Sequence, residues 1–458
     1  MGNRAEAQRL FAQAKHVADT DKTQLSVAYV LFASACAADP TWAEAQYFQG
    51  NNAGDLRWNE TAIALYHRAL ECDPDSQLKA RILTNLGWKL HTIGKLKEAL
   101  QASRDAVEIN QAIPAAWLNL SCIYGAMRNT ARSVECGLKA KALAPDDPHV
   151  GMALSFAYLF DRQWQKGFAE FECRFRYRLH HFLHYPYPEW KGEEGHSVFL
   201  VYDQGLGDTL SFARFVEPAA KRCRYLHVCI QPELLHWFQV AFSHLSNVHI
   251  IPGAVQFPGD AEFWSTYVSL PYALGLTDRE IEEAPPIRLP PVQPSGMWKV
   301  SDRKLHIGIA WAGSPLNENN YHRSIPLVRF LDLYRVPGIQ LYSLQVDEHR
   351  KHLNDIGAGS LIPDLAHYIR GVSDTLSLVR QLDLVITCES ALGHICGAAN
   401  VETWVPYSYL GRDFRLGPSG EKPLWYKKHR VFNQGPDLQW EPVFDGIVEA
   451  LRKRVRDK

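Results

Sequence analysis

Hydrophobic and polar positions follow two different patterns along the chain. Up to residue 178, apolar and small residues recur at helical spacing, as in Ile82, Leu86 and Leu90. From residue 196 onward, short apolar runs alternate with amphipathic helix patterns, which predicts parallel, doubly wound sheets. We therefore expect a fold of class α plus α/β, in which a helical array precedes an α/β region.

A step of 34 residues organises the helical part. Asp39-Pro40 recurs as Asp73-Pro74, and Leu86 recurs as Leu120 and Leu154. Because proline stops a helix that precedes it, each unit is predicted to be two helices ended by a turn. The period resembles that of the tetratricopeptide repeat and implies about five units with a concave surface. Two roles stay open for the repeats: presenting a peptide or protein, or acting as a scaffold that dimerises or holds the rest of the chain.

The end of the array departs from the earlier units. Residues 164–174 have the pattern Trp-x-x-Gly-Phe-x-x-Phe-Glu-x-Arg, and arginines alternate with aromatic residues over 174–178. Such an alternation can stack on nucleic-acid bases, but we expect instead a helix end whose aromatic side chains pack on the next domain. His180, His181 and His184 have no cysteine or carboxylate at matching spacing, so we expect no metal site there.

The α/β region begins with a glycine turn between a strand and a helix. An apolar run over 198–201 leads into Gln204-Gly205-Leu206-Gly207-Asp208, and an amphipathic helix pattern follows. A strand, a glycine turn and a helix in this order present backbone N–H groups and a helix N-terminus to an anion. A tight connection without a ligand is the alternative, because Gly-x-Gly without a third glycine is a weak nucleotide signal.

A proline-rich segment around residues 285–296 divides the α/β region into two halves, since proline at this density makes a stiff connector. The predicted domains are 1–178, a repeat array; 179–290, a first Rossmann-like lobe; and 291–458, a second Rossmann-like lobe. Ligands of open parallel sheets bind outside the carboxyl ends of the strands. The residues predicted at those ends, around a shared cleft, are Asp208, Arg323, Glu389, Ser390 and His394.

Composition narrows the functional class. The formal net charge is −1, and the longest basic run is Lys427-Lys428-His429-Arg430. This balance argues against a broad nucleic-acid surface, although it leaves a local patch open. No run approaches about 18 apolar residues, and residues 1–20 lack the apolar segment of a signal peptide, so we expect no membrane span and no secretion. Nine scattered cysteines without a Cys-x-x-Cys pair fit a reduced, cytoplasmic protein.

Several motifs, in this order, resemble a family of bacterial glycosyltransferases. They are Gln204-Gly205-Leu206-Gly207-Asp208-Thr209, Gly308-x-Ala310-Trp311-Ala312-Gly313, Arg323-Ser324-Ile325-Pro326, and Asp383-Leu384-Val385-Ile386 before Ser390-Ala391-x-x-His394. The chain resembles the ADP-heptose:lipopolysaccharide heptosyltransferase family, and more closely its members fused behind tetratricopeptide repeats. The layout is similar to that of the O-linked N-acetylglucosamine transferases. The resemblance implies a GT-B fold of two Rossmann-like lobes, a nucleotide-sugar on the C-terminal lobe, and no catalytic metal or other cofactor.

Two catalytic residues follow from the resemblance. Asp208 matches the base that the family is proposed to use on the acceptor hydroxyl. Its alternative is an N-cap aspartate at a helix start. Arg323 matches the position of a cation near the phosphates, where a guanidinium supplies positive charge without a metal. Its alternative is a solvated surface arginine.

The expected donor-binding residues are Gly205, Gly207, Gly313, Glu389, Ser390, Ala391 and His394. Glu389 stands where the relatives usually carry aspartate, and a buried structural histidine is the alternative for His394. The segment from Tyr407 to Trp425 is predicted to be a loop over the cleft, with Arg412 and Arg415 as secondary candidates beside Gln204.

We therefore expect a glycosyltransferase, inverting and metal-independent, that moves a sugar from a nucleotide-sugar to a hydroxyl acceptor. The acceptor class stays open between a protein on the repeats, a glycan and a modified nucleic-acid base, as does homo-oligomer formation through the repeats. The rival is a non-catalytic scaffold with a degenerate nucleotide-sugar domain, and a third reading is a GT-B epimerase that needs no acceptor.

Overall fold

The computed structural model describes residues 3–177, 185–253, 257–289, 304–315, 320–411, 413–417, 423 and 425–456. The chain divides into two compact units, residues 1–161 and residues 162–458. His180, His181 and His184, where the sequence predicts no metal site, lie outside the described residues.

The first unit is an array of antiparallel helix pairs. Within residues 3–161 its α-helices are α1 (Arg4–Thr20), α2 (Leu25–Ala38), α3 (Ala43–Asp55), α4 (Asn59–Glu71), α5 (Ser76–Thr92), α6 (Leu96–Ile109), α7 (Pro114–Ala126), α8 (Thr130–Leu143) and α9 (Pro148–Phe160). Helix α1 packs on α2, α3 on α4, α5 on α6, and α7 on α8. The predicted helical repeat array is confirmed.

Local sequence explains where these helices begin and how they pack. Pro114 and Pro148 stand in the first turns of α7 and α9, where a missing N–H costs nothing. The Asp75 carboxylate caps α5 by accepting from the Leu78 N–H at 2.7 Å. Several alanines of these helices are fully buried, namely Ala62, Ala69, Ala80, Ala99, Ala106 and Ala116. Small side chains allow the helices to approach closely.

The second unit contains two parallel sheets in its described residues. The first sheet consists of β1 (Ser197–Val201), β2 (Tyr225–Ile230), β3 (Val248–Pro252) and β4 (Phe263–Thr266), in the order β3-β2-β1-β4. The second consists of β5 (Leu305–Ala310), β6 (Ile339–Ser343), β7 (Leu384–Thr387), β8 (Thr403–Tyr407) and β9 (His429–Asn433), in the order β6-β5-β7-β8-β9. All neighbouring strands are parallel. The predicted parallel α/β content is confirmed.

Helices connect and cover these strands. The α-helices described in the second unit are Trp164–Phe171, Arg174–Tyr177, Leu206–Phe212, Val216–Arg222, Leu235–Ala241, Leu270–Ala273, Asp278–Glu283, Asn320–Arg323, Val328–Leu331, His352–Asp355, Val372–Val379, Ala391–Ala398 and Glu441–Arg456. Every residue of β1, β7 and β8 is buried, as expected for parallel strands covered on both faces. Among the helices that the structure describes, none combines the length and apolar character needed to span a bilayer.

The strand orders define where ligands are expected. The strand order changes direction between β5 and β7 in the second sheet and between β1 and β4 in the first, because successive strands are added on one side of β5 or β1 and then on the other. Crevices at such reversals, outside the carboxyl ends of the strands, are where open α/β sheets bind ligands. The residues that directly follow β1, β5 and β7 are therefore the ones expected to contact a ligand.

The helix Trp164–Phe171 belongs to the second compact unit, whereas the sequence pattern placed the end of the array at residue 178. The Trp164 Nε1–H donates to Glu282 at 2.9 Å, and the Gln165 N–H donates to Asp278 at 2.8 Å. Trp164 and Phe168 are completely buried. The last segment of the predicted array is thus packed into the α/β unit.

Candidate functional site

The helices that follow β1 and β7 pack directly against each other. The first of them, Leu206–Phe212, has Gly205 as its N-cap. A Cβ atom on Gly207 would lie 2.7 Å from Cδ2 of His394 and 3.4 Å from the Cα of Ala391. A side chain at position 207 would therefore push the two helices apart. In this structure the glycine serves their close approach, and it brings the two sheets' carboxyl ends together.

Asp208 lies at this junction and forms an ion pair across it. Its Oδ1 accepts from Nη1 of Arg415 at 2.8 Å, and Nε of Arg415 donates to Asp413 at 2.7 Å. A third of the Asp208 side chain remains open to solvent, whereas the Asp413 side chain is 2% exposed. Asp208 is the third residue of its helix and Gly205 is the cap, so the alternative reading of Asp208 as an N-cap is wrong.

The two carboxylates beside Arg415 differ in their acidity. Burial raises the pKa of Asp208 above its ordinary value, against the opposing effect of Arg415. Burial also acts to raise the pKa of Asp413, but the charge of Arg415 and its hydrogen bonds to Asp413 outweigh it and hold that pKa below its ordinary value. The Asp413 carboxylate therefore anchors the guanidinium, and Asp208 is the more basic group.

An aromatic cluster holds the loop that carries Asp413 and Arg415. The Phe414 ring lies 5.8 Å from the Trp164 ring and 6.1 Å from the Phe168 ring, measured between centroids. The hydroxyl of Tyr407 accepts from the Asp413 N–H at 2.8 Å. The loop is thereby fixed on the helix Trp164–Phe171, and Arg415 is presented to Asp208.

His394 is a neutral imidazole in the floor of the site. Its Nδ1 lies 3.2 Å from the Tyr426 hydroxyl, and its Nε2 lies 3.9 Å from Asp413. Burial, assisted by the nearby Arg415, holds the pKa of His394 well below its ordinary value. A neutral ring with two distinct nitrogens can donate at one and accept at the other.

Glu389 follows β7 and is, after Asp208, the second carboxyl group of the site whose pKa is raised. Burial raises its pKa to about 8, with a further contribution from Asp413, while Arg323 and Arg415 act in the opposite direction. Its Oε2 atom is buried and has no hydrogen-bond partner in the part of the chain that the structure describes. At neutral pH the carboxyl is therefore mostly protonated and can donate a hydrogen bond to a bound group.

This pKa predicts a pH-dependent stability that Glu389→Gln removes. The pKa of Glu389 is raised from 4.5 in the unfolded chain to about 8 in the folded protein. The contribution of this shift to the free energy of unfolding is therefore fully present below pH 4.5 and is lost as the pH rises to about 8. Between these values the wild type loses about 1.4 kcal/mol per pH unit relative to the variant. Melting temperatures of both proteins at pH 5.5, 6.5 and 7.5 should show the variant gaining on the wild type.

The exposed Glu348 offers a matched control, since Glu348→Gln should change the melting temperature equally at all three pH values. A gap between Glu389→Gln and the wild type that stays constant with pH would show that Glu389 ionises normally in the folded protein.

Arg323 lies behind β5, packed against Gly313. A Cβ atom on Gly313 would lie 2.6 Å from Nη2 of Arg323, so the glycine makes room for the guanidinium. The Gly313 N–H donates to Asn320 at 3.0 Å, and the N–H groups of Trp311 and Ala312 donate to Gln345 at 3.0 and 3.1 Å. The amides after β5 are thus already bonded to side chains, and the positive charge there comes from Arg323.

The remaining predicted residues take different positions. Ser390 precedes the helix Ala391–Ala398, and its hydroxyl lies 3.2 Å from that of Thr387 instead of capping the helix. The carbonyl of Gln204 accepts from the Gln231 side chain at 3.5 Å. Arg412 lies outside the described residues.

Three residues of the site were not predicted: Asp413, Tyr426 and Arg214. Arg214 is 5% exposed, donates to the carbonyls of Ala284 and Trp425 at 3.0 Å, and lies 4.3 Å from the Trp425 ring. Burial lowers its pKa to about 10, and no carboxylate pairs with it among the described residues. Asp413 and Tyr426 fall in or beside the loop flagged from sequence, whereas nothing in the sequence marks Arg214.

The site thus joins Asp208 on the first sheet to Arg415, Asp413, His394 and Glu389 on the second. Such a set can accept a proton, offer fixed positive charge and donate hydrogen bonds. No group of three His, Cys, Asp or Glu side chains suited to a metal ion occurs within the described ranges.

Of the comparisons with known proteins, the one with solved structures gives matches and the others do not. No protein-family model matches the chain, and no curated protein matches it in sequence. The matching structures include YrrB, titled a TPR protein with an unusual peptide-binding site, at 17% identity over 40% of this chain and 91% of that chain, with a TM-score of 0.32. MamA of Desulfovibrio magneticus RS-1 matches at 16% identity over 40% and 99%, TM-score 0.34, and pilF of Pseudomonas aeruginosa at 21% over 37% and 76%, TM-score 0.33.

Proposed function

We propose that this protein is a glycosyltransferase of GT-B architecture that moves a sugar from a nucleotide-sugar to a hydroxyl acceptor. The observation that carries the proposal is the Asp208–Arg415–Asp413 assembly, in which a carboxylate following β1 meets a guanidinium following β8. Both lie at the carboxyl ends of parallel sheets, where ligands of such sheets bind.

The chemistry asked of each residue is simple. The acceptor oxygen attacks the anomeric carbon of the sugar while the bond from that carbon to the phosphate oxygen breaks. Asp208, with its raised pKa, takes the proton of the acceptor hydroxyl. Arg323 and Arg415 face the negative charge that develops on the departing nucleoside diphosphate. The protonated Glu389 and the neutral His394 donate to hydroxyl groups of the donor. The proposed transfer reaction, as carried out by these residues, requires no metal ion.

The acceptor is a hydroxyl of a protein or peptide held by the repeats. The helical array supports this choice, because repeat arrays of this kind generally offer a concave surface that is used for extended polypeptides. A glycan or a modified nucleic-acid base as acceptor would reach the same cleft without the repeats. An epimerase would need neither an acceptor nor the repeats.

A scaffold without catalysis is the second candidate, and one observation favours it. Asp208 is already paired with Arg415, and the amides after β5 are already bonded to Gln345 and Asn320. A domain that only folds would show the same closed arrangement. Nucleotide binding in the cleft separates the proposal from a scaffold that only folds, and release of nucleoside diphosphate separates it from a scaffold that binds a nucleotide-sugar without catalysis.

A thermal-shift screen against common nucleoside diphosphates and nucleotide-sugars tests the proposal. A ligand at a hundred times its dissociation constant adds about 2.7 kcal/mol to stability. We expect one nucleotide to raise the melting temperature of the wild type, and Arg323→Ala to abolish that shift.

Arg335→Ala is the control, since Arg335 pairs with Asp445 on the surface and should leave the shift intact. Absence of a shift with every nucleotide would support the scaffold. A shift that survives Arg323→Ala would place the nucleotide elsewhere. Nucleoside diphosphate released only when acceptor is present would exclude the epimerase.

A further inference from the structure

We propose that the second sheet carries a separate site, at the amino ends of its strands, for a small molecule that bears more than one phosphate group. The site does not depend on the proposed sugar transfer, because it lies at the edge of the sheet opposite Asp208 and Glu389.

The site is an open cavity of about 750 Å³. Leu305 begins β5, Asp383 precedes β7, and Glu402 precedes β8. One wall of the cavity is therefore formed by the amino ends of these strands. Ala450 and Lys453, in the last turns of the helix Glu441–Arg456, form the opposite wall. The volume falls in the range of small-molecule sites, roughly 300–1,000 Å³, and is too small for a macromolecule to fill.

Positive charge dominates the lining of this cavity. Lys427, Lys428, Arg430 and Lys453 line it, and none of the four forms an ion pair within the described residues. The last turn of a helix attracts cations, which accounts for Lys453. It does not account for the residues at 427, 428 and 430, which come from the turn before β9 and from β9 itself.

The acidic residues in the lining are already engaged. The Glu402 carboxylate accepts from Arg454 at 2.6 Å and from the Trp404 indole at 3.1 Å. The Asp383 carboxylate accepts from the backbone N–H of His306 at 2.8 Å. Both carboxylates are therefore engaged at the amino ends of the strands, and among the described residues they leave the four cations without a neutralising partner.

These groups suit phosphate better than a carboxylate ligand. Three lysine ammonium groups around one cavity act as separate point charges, and each can contact a different phosphate oxygen. The Arg430 guanidinium lies 5.4 Å from the Trp404 ring and 4.7 Å from the Phe432 ring, which fixes it at the rim. Charges spread in this way match a ligand whose charges are also spread, such as a chain of phosphates.

Calorimetric titration with sodium tripolyphosphate at constant ionic strength tests the site. The variants are the double change Lys428→Ser with Lys453→Ser, the candidate active-site change Arg323→Ala, and the control Lys351→Ser at an exposed lysine elsewhere in the second unit. Both lysines of the double variant are exposed, so folding should be unaffected. We expect the double variant to bind at least ten times more weakly than the wild type, and the other two to bind as the wild type does.

Equal binding by the double variant and the wild type would overturn the proposal. So would loss of binding in Arg323→Ala alone, which would assign the phosphate to the cleft. Because the nucleotide screen and this titration depend on different residues, failure of the sugar-transfer proposal would leave the lysine dependence intact, and the reverse also holds.

Discussion

Replacing Arg174 by methionine is expected to lower the stability of the α/β unit by about 3–5 kcal/mol, because it leaves buried charge without a partner. The Arg174 side chain is 4% exposed and its Nε donates to Asp203 at 2.9 Å. Its Nη2 donates to Thr266 and Ser269 at 2.7 Å each, and Nη1 pairs with Glu172. One guanidinium therefore joins the helix Arg174–Tyr177 to the ends of β1 and β4.

Hydrogen exchange measured by mass spectrometry on the full chain is the suitable readout, since a chain with two units does not unfold in one step. Peptides covering β1 and β4 should exchange faster in Arg174→Met. Arg279→Met removes an arginine whose side chain is 83% exposed, and should change the opening free energy by no more than about 0.5 kcal/mol. Adding Asp203→Asn to Arg174→Met should restore part of the protection. Equal exchange in the two arginine variants would contradict the account.

Replacing Asp208 by asparagine is expected to lower turnover by about 10²–10⁴-fold, the usual contribution of a positioned general base. The change keeps the shape and removes the proton acceptor, so nucleotide binding should persist. Arg415 would keep its bond to Asp413, which is why we expect the loop to stay in place.

Release of nucleoside diphosphate in a single turnover, with the donor found by the nucleotide screen, measures this effect. Asp355→Asn, at an exposed aspartate, is the control and should react at the wild-type rate. If Asp208→Asn stays within a few-fold of the wild type while Arg323→Ala is inactive, the base lies elsewhere and Asp208 serves only to hold Arg415.

Features set by local sequence could be predicted. The period of 34, the glycine turn and the strands around Val198 and Leu384 depend on residues close together in the chain, and the structure has helices and strands there. The bond between Asp208 and Arg415 joins residues 207 positions apart. No spacing rule reaches that far, so Arg415 stayed a secondary candidate and Asp413 was missed.

The alternation of arginines and aromatic residues over 174–178 shows a second limit of prediction from sequence. The sequence predicted that its aromatic residues pack on the next domain, and Phe175 does so, 5.2 Å from the Trp264 ring. The alternative of stacking on nucleic-acid bases is wrong for Arg174, which is buried and lies 4.1 Å from the Phe175 ring. The sequence pattern alone does not distinguish a solvent-exposed arginine from one that is buried in a core.

The position of the helix Trp164–Phe171 within the α/β unit decides where the protein can be cut. A fragment that starts at Arg162 keeps Trp164, Phe168 and Arg174 in place. A fragment that starts at residue 179, where the repeat period suggests a boundary, loses all three and uncovers the face of Phe414 that Trp164 and Phe168 cover. The shorter fragment should be insoluble when expressed alone, and the longer one is the piece to use for crystals and ligand soaks.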